Sequence, residues 1–402
     1  MTHAPRIYDA FLDEHLRSHR QMAFVSGPRQ VGKTTTCRQH ATQTLNWDND
    51  DHRETILAGA QAIAAQLGIH QLAEQPETLL LDEIHKYNRW KKLLKGLFDT
   101  HADQLKIIVS GSSRLDVYQR VGDSLMGRYF LYRMHPFSVA ETLHADLPDP
   151  AAILRQPHKP GQTEFDALWE HGGFPEPFLK RDPRFTRRWQ ILRTQQLLRE
   201  DVRDQTRIQQ LDQLEHVARL LNDASGQQLV YSSIAKHTRV SVDTARRWIK
   251  TLSDLHHGFL IKPWHSNIQR SLRKEPKWFL RDWSNVSQPG PKAETFVACH
   301  LLKAVEGWND LGLGSFQLAY LRDKDQHEVD FIVIRDNEPW MLVEVKMTDT
   351  KLSPALAKFQ KQTGAPYALQ VVISLDYVNQ DCFKKQGRPG VVPAQTFLSQ
   401  LL

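Results

Sequence analysis

The stretch from Gly27 to Thr34 constrains this fold more than any other, because it fits the phosphate-binding pattern G-x-x-x-x-G-K-[ST]. An apolar run, Met22–Val25, precedes it, and Lys33–Thr36 can begin a helix. Glycines allow backbone angles that turn N–H groups towards an anion, and a helix N-terminus favours negative charge. A glycine-rich turn with a chance Lys-Thr is the alternative. We predict a nucleotide-binding loop made of Gly27, Pro28, Arg29, Gln30, Val31, Gly32, Lys33, Thr34 and Thr35.

Two acids at the end of a second apolar run support this interpretation. Leu79–Leu81 leads into Asp82 and Glu83. A buried strand can be this apolar for packing alone, but packing does not require two carboxylates at its end. In P-loop ATPases the first acid holds Mg²⁺ and the second activates the attacking water. We therefore expect ATP and Mg²⁺ as cofactors. Lys33 would contact the β- and γ-phosphates, Thr34 and Asp82 would hold the metal, and Glu83 would be the general base.

A third apolar run, Lys106–Val109, ends in polar residues. A polar side chain on a strand beside the loop could sense the γ-phosphate, and either Ser110 or Ser112 would serve. Further on, Arg128 follows a glycine at a predicted strand start, and we prefer it as an arginine that reaches the nucleotide of a neighbouring subunit. That interpretation implies a homo-oligomer. A surface or ion-paired arginine is the alternative for Arg128.

The strand-like runs alternate with helical patterns of 10–20 residues, and such alternation predicts a parallel sheet with helices on both faces. Helical spacing of apolar residues also predicts a helix over residues 6–19, before the first strand. Further helical patterns follow from about Arg53 to Glu74. The N-terminal part of the chain is therefore expected to be an α/β domain.

Composition leaves the partners open. The chain has 402 residues and a net charge of +6, which is compatible with nucleic acid without establishing it. No stretch approaches the roughly 18–20 uninterrupted apolar residues of a membrane span, and the first residues lack the apolar core of a signal peptide. Cys37, Cys299 and Cys382 are isolated, which favours a reducing compartment. We therefore expect a cytoplasmic protein with no membrane partner.

The middle of the chain has the pattern of a DNA-binding unit. An arginine-rich helical segment covers residues 182–222, and it could contact phosphates or another subunit, with a solvated helix face as the alternative. Residues 227–263 read as a winged helix-turn-helix, with Phe259–Lys262 as the wing. Its second helix, Val242 to Leu255, would be capped by Ser241. The exposed side chains of that helix, suited to DNA contact, are Thr244, Arg246, Arg247 and Lys250. Winged helices also contact proteins, so a protein partner is the alternative.

A second set of charged residues lies near the C-terminus. Glu328–Ile334 and Trp340–Lys346 alternate as half-buried strands and are separated by a turn. Alternation puts Glu344 and Lys346 on one face, and a hairpin would bring Asp330 opposite. With Glu294 from an upstream helix, these carboxylates could hold Mg²⁺ for phosphodiester cleavage. An ordinary surface hairpin is the alternative.

Taken together, these residues resemble a prokaryotic family of AAA+-like ATPases with a C-terminal domain of the DUF4143 type. The motifs that carry the resemblance are Gly27–Thr35, Leu80–Glu83, Ser110–Ser113, Gly127–Arg128, Pro136–Ser138, Gly172–Pro175, Arg199–Asp201, Glu294 and the Asp330/Glu344/Lys346 hairpin. The resemblance implies an AAA+-like ATPase core, a winged helix and a nuclease-like fold of the PD-(D/E)XK type. Glu294, Asp330 and Glu344 would be its acidic residues, and Lys346 the basic partner.

We accordingly predict an α/β P-loop ATPase core over residues 1–145 and a linker with the arginine-rich helices over 146–222. A winged helix-turn-helix over 223–270 and an α/β nuclease-like domain over 271–402 would follow. The favoured function is a DNA-dependent ATPase motor acting on branched or duplex DNA in repair or recombination. An ATP-regulated Mg²⁺-dependent nuclease is the first alternative, and a signalling or scaffold ATPase is the second.

Overall fold

The structure is a computed structural model that describes residues 4–69, 76–111, 125–202, 208, 210–264, 275–384 and 387–402. Contacts within the chain divide it into two compact units. The first comprises Met1–His135 and His144–Leu147, and the second comprises Pro136–Leu143 and Pro148–Leu402.

The first unit contains a five-stranded sheet in the order β2-β3-β4-β1-β5, and all of its strand pairs are parallel. The prediction of a parallel α/β domain is confirmed. Its elements are α1 (Ile7–Ser18), β1 (Met22–Ser26), α2 (Lys33–Gln39), β2 (Gln43–Asn46), α3 (Asp50–Ala58), α4 (Ala60–Gln66), β3 (Glu77–Asp82), α5 (Trp90–His101), β4 (Leu105–Ser110) and β5 (Tyr129–Arg133).

Both faces of the central strands β1, β3 and β4 are covered, as their nearly complete burial shows. Alternate residues of the central strands, such as Leu79, Leu81 and Val109, pack with the buried residues of α3, α4 and α5. The intervening residues lie under α1 and α2, which contact β1 from the other side. The helical patterns predicted over about 53–74 are observed as the two helices α3 and α4, and residues 70–75 lie outside the described residues. Gly59 has φ +96°, a left-handed backbone that glycine adopts without strain, and it separates α3 from α4.

The second unit begins with helices. They are α6 (Val139–Leu143), α7 (Gln162–His171), α8 (Pro175–Lys180), α9 (Pro183–Gln196), α10 (Leu211–Asp223), α11 (Tyr231–Thr238) and α12 (Val242–Asp254). A π-helical turn, Leu197–Asp201, extends α9. The two strands β6 (Gly258–Ile261) and β7 (Lys277–Leu280) follow and pair antiparallel. Helices α10 to α12 share one core, in which Trp248 and Trp278 are fully buried.

Three helices followed by a two-stranded sheet is the element order of a winged helix. The predicted wing residues 259–262 lie mostly in β6, and their partner strand is β7. Residues 265–274, which come between these strands in the sequence, are outside the described ranges. The winged helix remains a prediction.

The C-terminal part of the second unit is a mixed five-stranded sheet in the order β12-β11-β10-β9-β8. Strands β8, β9 and β10 are antiparallel neighbours, whereas β10, β11 and β12 run parallel. The elements are α13 (Pro289–Asp310), β8 (Phe316–Arg322), β9 (Glu328–Arg335), β10 (Glu338–Lys346), α14 (Pro354–Thr363), β11 (Tyr367–Val372), β12 (Gly390–Pro393) and α15 (Ala394–Ser399). The β9–β10 hairpin is present, and Asp336 and Asn337 at its turn both have positive φ.

Candidate functional site

The loop from Gly27 to Gly32 connects β1 to α2, in the strand–loop–helix order that a phosphate loop needs. Gly27 (φ +149°) and Gly32 (φ +103°) both adopt angles that L side chains rarely reach. A Cβ atom on Gly27 would lie 2.3 Å from the carbonyl oxygen of Met134, so only glycine fits there. The loop is therefore held close to the segment that follows β5.

Lys33 is the first residue of α2, and its side chain folds back over the loop. Its Nζ donates hydrogen bonds to the carbonyl oxygens of Gly27 (2.9 Å) and Pro28 (2.8 Å), and the residue is buried. The ammonium group therefore lies over the concave side of the loop. A phosphate bound there would meet a positive charge that is already positioned.

Thr34, Asp82 and Ser110 converge beside the loop. Thr34 Oγ1 donates to Asp82 Oδ2 at 3.1 Å, and Ser110 Oγ donates a short hydrogen bond to Asp82 Oδ1. The strand register explains this meeting, because Asp82 pairs with Ser110 and Ser110 pairs with Val25, so three parallel strands end at one edge. Burial raises the pKa of Asp82, and the hydrogen bonds from Ser110 and Thr34 only partly offset that effect.

A hydroxyl and a carboxylate at this separation, next to an ammonium and a loop of backbone N–H groups, fit the needs of a magnesium nucleotide. Hard oxygen donors suit Mg²⁺, which usually uses one or two protein ligands together with substrate phosphates. Thr34 and Asp82 would hold the ion, and Lys33 would contact the phosphates. The donor set therefore suits the expected ATP and Mg²⁺.

Glu83 lies directly after β3 in the left-handed backbone region (φ 55°). Its backbone N–H donates to the carbonyl oxygen of Ser110 at 3.0 Å, which fixes the turn. Its carboxylate lies 3.4 Å from Lys86 Nζ and 3.7 Å from His85 Nε2. Lys86 also binds Asp48 at 2.6 Å, so the acidic loop after β2 is tied to this turn.

The other predicted residues of this region are placed as follows. Thr35 is on the exposed side of α2, Arg29 is exposed, and Ser112 lies outside the described residues. Arg128 comes just before β5, whose first residue pairs with the first residue of β1, so Arg128 is at the sheet edge opposite the loop. Its Nε donates to Asp99 at 2.7 Å. The structure does not bring Arg128 to the loop of its own chain.

Arg6 is a residue of this site that the sequence did not suggest. It is buried, and its Nη1 donates to the carbonyl oxygen of Val31 (2.8 Å) while its Nη2 donates to that of His135 (2.7 Å). One guanidinium thus holds the phosphate loop and the segment after β5 together. An arginine at the start of an amphipathic helix is ordinary in a sequence, so no signal there could have indicated this role.

The predicted DNA-contacting residues lie on α12. The side chain of Ser241 accepts a hydrogen bond from Thr244 N at 3.1 Å, as expected of an N-cap. Arg246, Arg247 and Lys250 are exposed on one side of the helix. The Arg246 guanidinium lies 5.1 Å from the ring centre of Tyr231, and Lys250 forms an ion pair with Asp254. The helix therefore presents a cationic face.

The predicted carboxylate cluster assembles around the β9–β10 hairpin. Asp330 Oδ2 accepts a hydrogen bond from Val345 N at 2.9 Å, and Glu344 Oε1 accepts one from Lys346 Nζ at 2.8 Å. Burial raises the pKa of Glu344 and of Glu294, and the charge of Asp330 raises both further. The four predicted residues are therefore neighbours in space.

These carboxylates do not form a closely spaced metal-ligand set. Among the described residues, only Asp323, Asp325 and His327 offer three ligand atoms within 4.8 Å of one another. That group is in the exposed loop between β8 and β9, and Lys358 Nζ lies 2.7 Å from Asp323. The use of Glu294, Asp330 and Glu344 as metal ligands remains a prediction.

Lys277 also belongs to this cluster, and no sequence pattern indicated that it would. Its Nζ lies 3.5 Å from Asp330 Oδ1 and 3.9 Å from Glu294 Oε2, and it forms a short ion pair with Glu328. Burial lowers the pKa of Lys277, but the charges of Asp330, Glu294 and Glu328 outweigh burial and raise it. A lysine from β7 is therefore charged within the carboxylate cluster.

Three protein families match consecutive parts of the chain. The family described as "AAA domain" matches residues 19–143. Two domains of unknown function follow, DUF8612 over residues 162–287 and DUF4143 over residues 289–394. The boundary between the last two lies between β7 and α13.

Two mycobacterial relatives are similar over nearly the whole chain. Uncharacterized protein Rv2008c of Mycobacterium tuberculosis is 23% identical over 390 residues, covering 94% of this chain and 81% of the relative. Uncharacterized protein Mb2031c of Mycobacterium bovis matches with the same values.

Solved structures match only loosely. The Aeropyrum pernix ORC1 protein in complex with DNA has a TM-score of 0.31 and 15% identity, covering 72% of this chain and 91% of that chain. Thermotoga maritima RuvB has a TM-score of 0.27 and 16% identity, covering 63% and 86%. Separately, no helix in the described ranges is long and apolar enough to cross a membrane. On the family matches and the geometry of its first unit, the chain carries an AAA domain at residues 19–143 and a DUF4143 domain at residues 289–394.

Proposed function

We propose that this chain binds and hydrolyses ATP with Mg²⁺ at the loop formed by Gly27 to Thr34. The observation that carries the proposal is the convergence of Lys33, Thr34 and Asp82 at one edge of a parallel sheet, where Thr34 Oγ1 is 3.1 Å from Asp82 Oδ2. Three groups from two separate elements meet where phosphates and a hard cation would need them. A strand end with no chemical role would not require an ammonium, a hydroxyl and a carboxylate close together.

Each side chain has a distinct task in this reaction. Lys33 exchanges its hydrogen bonds to Gly27 and Pro28 for bonds to phosphate oxygens. Thr34 and Asp82 supply oxygen ligands, and Mg²⁺ held there would offset charge on the phosphates. Ser110 keeps the Asp82 carboxylate oriented. Glu83 would orient the attacking water and take its proton.

We further propose that DNA stimulates this hydrolysis and that the protein acts as a motor on branched or duplex DNA, in repair or recombination. The exposed cationic side of α12 supports this part of the proposal, because lysine and arginine on one helix face suit phosphate contacts. The proposed motor is a homo-oligomer in which Arg128 serves a neighbouring subunit, which accords with its place away from the loop of its own chain.

Hydrolysis by the purified full-length chain tests both parts. ATP turnover would be measured with Mg²⁺ alone and with single-stranded, duplex or four-way-junction DNA, and DNA integrity would be read in the same tubes. We expect turnover to rise with one DNA structure that stays whole. Glu83→Gln should retain ATP binding but reduce turnover on the order of 100-fold or more, whereas Lys33→Ala should lose binding as well.

The role of DNA is tested with two triple variants that each remove three positive charges. Replacing Arg246, Arg247 and Lys250 by Ala should remove the DNA effect and leave basal turnover unchanged. Replacing the exposed Lys361, Lys384 and Arg388 by Ala removes the same charge elsewhere and should leave the DNA effect intact. Equal effects of the two triple variants would contradict a specific role for α12. Turnover that no DNA changes would favour a protein partner instead.

Phosphodiester cleavage is the second candidate function, and one observation favours it. Glu344 Oε2 is buried and has no hydrogen-bond partner among the described residues, although Asp330 is close by. A carboxylate oxygen left in this way can serve a cation. Cleavage of DNA that Asp330→Ala abolishes and Lys33→Ala preserves would establish this activity separately from the ATPase.

A further inference from the structure

Lys277 reaches the carboxylate cluster from outside the DUF4143 domain. It is the first residue of β7, within the segment that matches DUF8612, whereas Glu294, Glu328 and Asp330 lie within the segment that matches DUF4143. Only 4% of its side chain is exposed. A lysine is almost never buried this far without paired charges, so its position depends on these acids.

The backbone around Lys277 is fixed to the DUF4143 domain. Tyr320 of β8 donates its hydroxyl hydrogen to the carbonyl oxygen of Glu275 at 2.6 Å. On the other side, Ser225 Oγ lies 2.8 Å from Thr295 Oγ1 and accepts a hydrogen bond from Leu280 N at 3.1 Å. Hydrogen bonds thus hold strand β7 near both ends. The position of the β7 backbone places the Lys277 side chain among the acids.

The turn before α11 closes the cluster from the same direction. Gly226 has φ +82°, and a Cβ atom there would lie 3.2 Å from Glu294 Oε2, so the backbone passes directly over that carboxylate. Gly226 N also donates to the carbonyl oxygen of Trp278 at 2.8 Å. The turn therefore covers Glu294 from the same side as β7.

We propose that Lys277 is the resident cation of this carboxylate cluster, and that its ammonium excludes a divalent metal until β7 withdraws. The carboxylates need one positive centre, and the ammonium supplies it between Asp330, Glu294 and Glu328. A metal would have to occupy the same space. The DUF8612 segment therefore blocks metal binding at the cluster. Any metal-dependent chemistry of the cluster requires β7 to move away.

Manganese binding by the nucleotide-free full-length chain tests this directly. Free Mn²⁺ would be counted by electron paramagnetic resonance during titration of the wild type, Lys277→Met and Lys277→Met/Asp330→Asn. We expect Lys277→Met to bind one more Mn²⁺ per chain than the wild type, at least tenfold more tightly than any wild-type site. Adding Asp330→Asn should remove that extra site. Lys262→Met, an exposed lysine just after β6, should behave as the wild type.

Two results would overturn the proposal. One is a folded Lys277→Met chain that gains no Mn²⁺ site. The other is a wild type that already binds Mn²⁺ at a site removed by Asp330→Asn. If Lys277→Met fails to fold because the acids lose their counter-charge, Lys277→Met/Glu328→Gln takes its place, since it removes one of the unpaired carboxylates at the same time.

A chemical readout on the wild type needs no variant. Reductive methylation followed by mass spectrometry reports which lysines are accessible. We expect Lys277 to stay unmodified while Lys262 is methylated fully. Modification of both lysines at the same rate would show that Lys277 does not reside in the cluster, and would overturn the proposal even if every variant failed to fold.

Discussion

At the scale of single residues, Arg6 shows how a buried charge can stabilise a binding loop. Its guanidinium donates to Val31 in the loop and to His135 after β5, and the ring of Tyr8 lies 5.5 Å from it. The carbonyl oxygen of Val31 has its hydrogen bond supplied from outside the loop. The loop is therefore shaped before any ligand arrives, which limits the entropy lost on binding.

Arg6→Met should therefore destabilise the chain and weaken ATP binding. Two buried carbonyl oxygens would lose charged donors, which we expect to cost about 3 kcal/mol of unfolding free energy. Urea unfolding measures that loss, and nucleotide titration should show a dissociation constant raised about tenfold as the loop leaves its competent shape. Arg17→Ala, an exposed arginine of the same helix, is the control. A change in Arg6→Met no larger than in this control would show that the two bonds contribute little.

At the scale of elements, the helix that follows the phosphate loop is joined to α1 by one histidine. His40, just after α2, places Nε2 3.2 Å from Asp9 and Nδ1 3.0 Å from Asp13. The hydrogen bond with Asp9 raises the pKa of His40, and burial opposes that effect without cancelling it. His40 therefore holds α1 and α2 together most strongly when its imidazole is protonated.

The ion pairs of His40 with Asp9 and Asp13 predict that the free energy of unfolding depends on pH. Because the pKa of His40 is higher in the folded chain than in the unfolded chain, its contribution is complete below the unfolded value of about 6.5. The contribution is lost as pH rises through the higher folded value. The difference in unfolding free energy between the wild type and His40→Gln should thus be largest near pH 6 and shrink towards about pH 9. Urea unfolding across that range measures it, and a constant difference would contradict the assignment.

At the scale of the whole molecule, the compact units do not follow the order of the chain. Pro136–Leu143 comes directly after β5, and it is part of the AAA match, but it belongs to the second unit. Lys303 of α13 forms a short, fully buried ion pair with Glu141 and donates to the carbonyl oxygen of Pro136 at 3.1 Å. The segment that leaves β5 is thereby anchored within the second unit.

Removing one member of this buried pair should be strongly destabilising. Glu141→Leu leaves the Lys303 ammonium without its counter-charge, and we expect a loss of about 3–5 kcal/mol. The double variant Glu141→Leu/Lys303→Met removes both charges and should recover most of that loss, because a buried pair and well-packed apolar residues are often comparable in stability. A double-mutant cycle by urea unfolding compares them. Additive single effects would show that the two side chains are not coupled.

The predictions that succeeded concern residues that are close in sequence. The parallel first sheet follows from apolar runs alternating with helical patterns, and the strand–loop–helix order around Gly27–Thr34 and the β9–β10 hairpin follow from local patterns of the same kind. The chemical roles of the site residues stay predictions. Strand, turn and helix preferences are local, so a chain can specify them within a few residues. The helical patterns over about 53–74 did not place a helix boundary at Gly59, because a glycine within a helical pattern does not by itself mark a break.

The sequence by itself thus determined the strand–loop–helix unit, the acids at the end of β3 and the hairpin that carries Asp330 and Glu344. Only the tertiary structure decided that Arg6 holds the phosphate loop, that Lys277 fills the carboxylate cluster, and that Pro136–Leu143 belongs with the C-terminal unit. Each of these depends on a buried charge that meets partners far away along the chain. The identity of those partners is set by how the elements pack, and no spacing within the sequence encodes it.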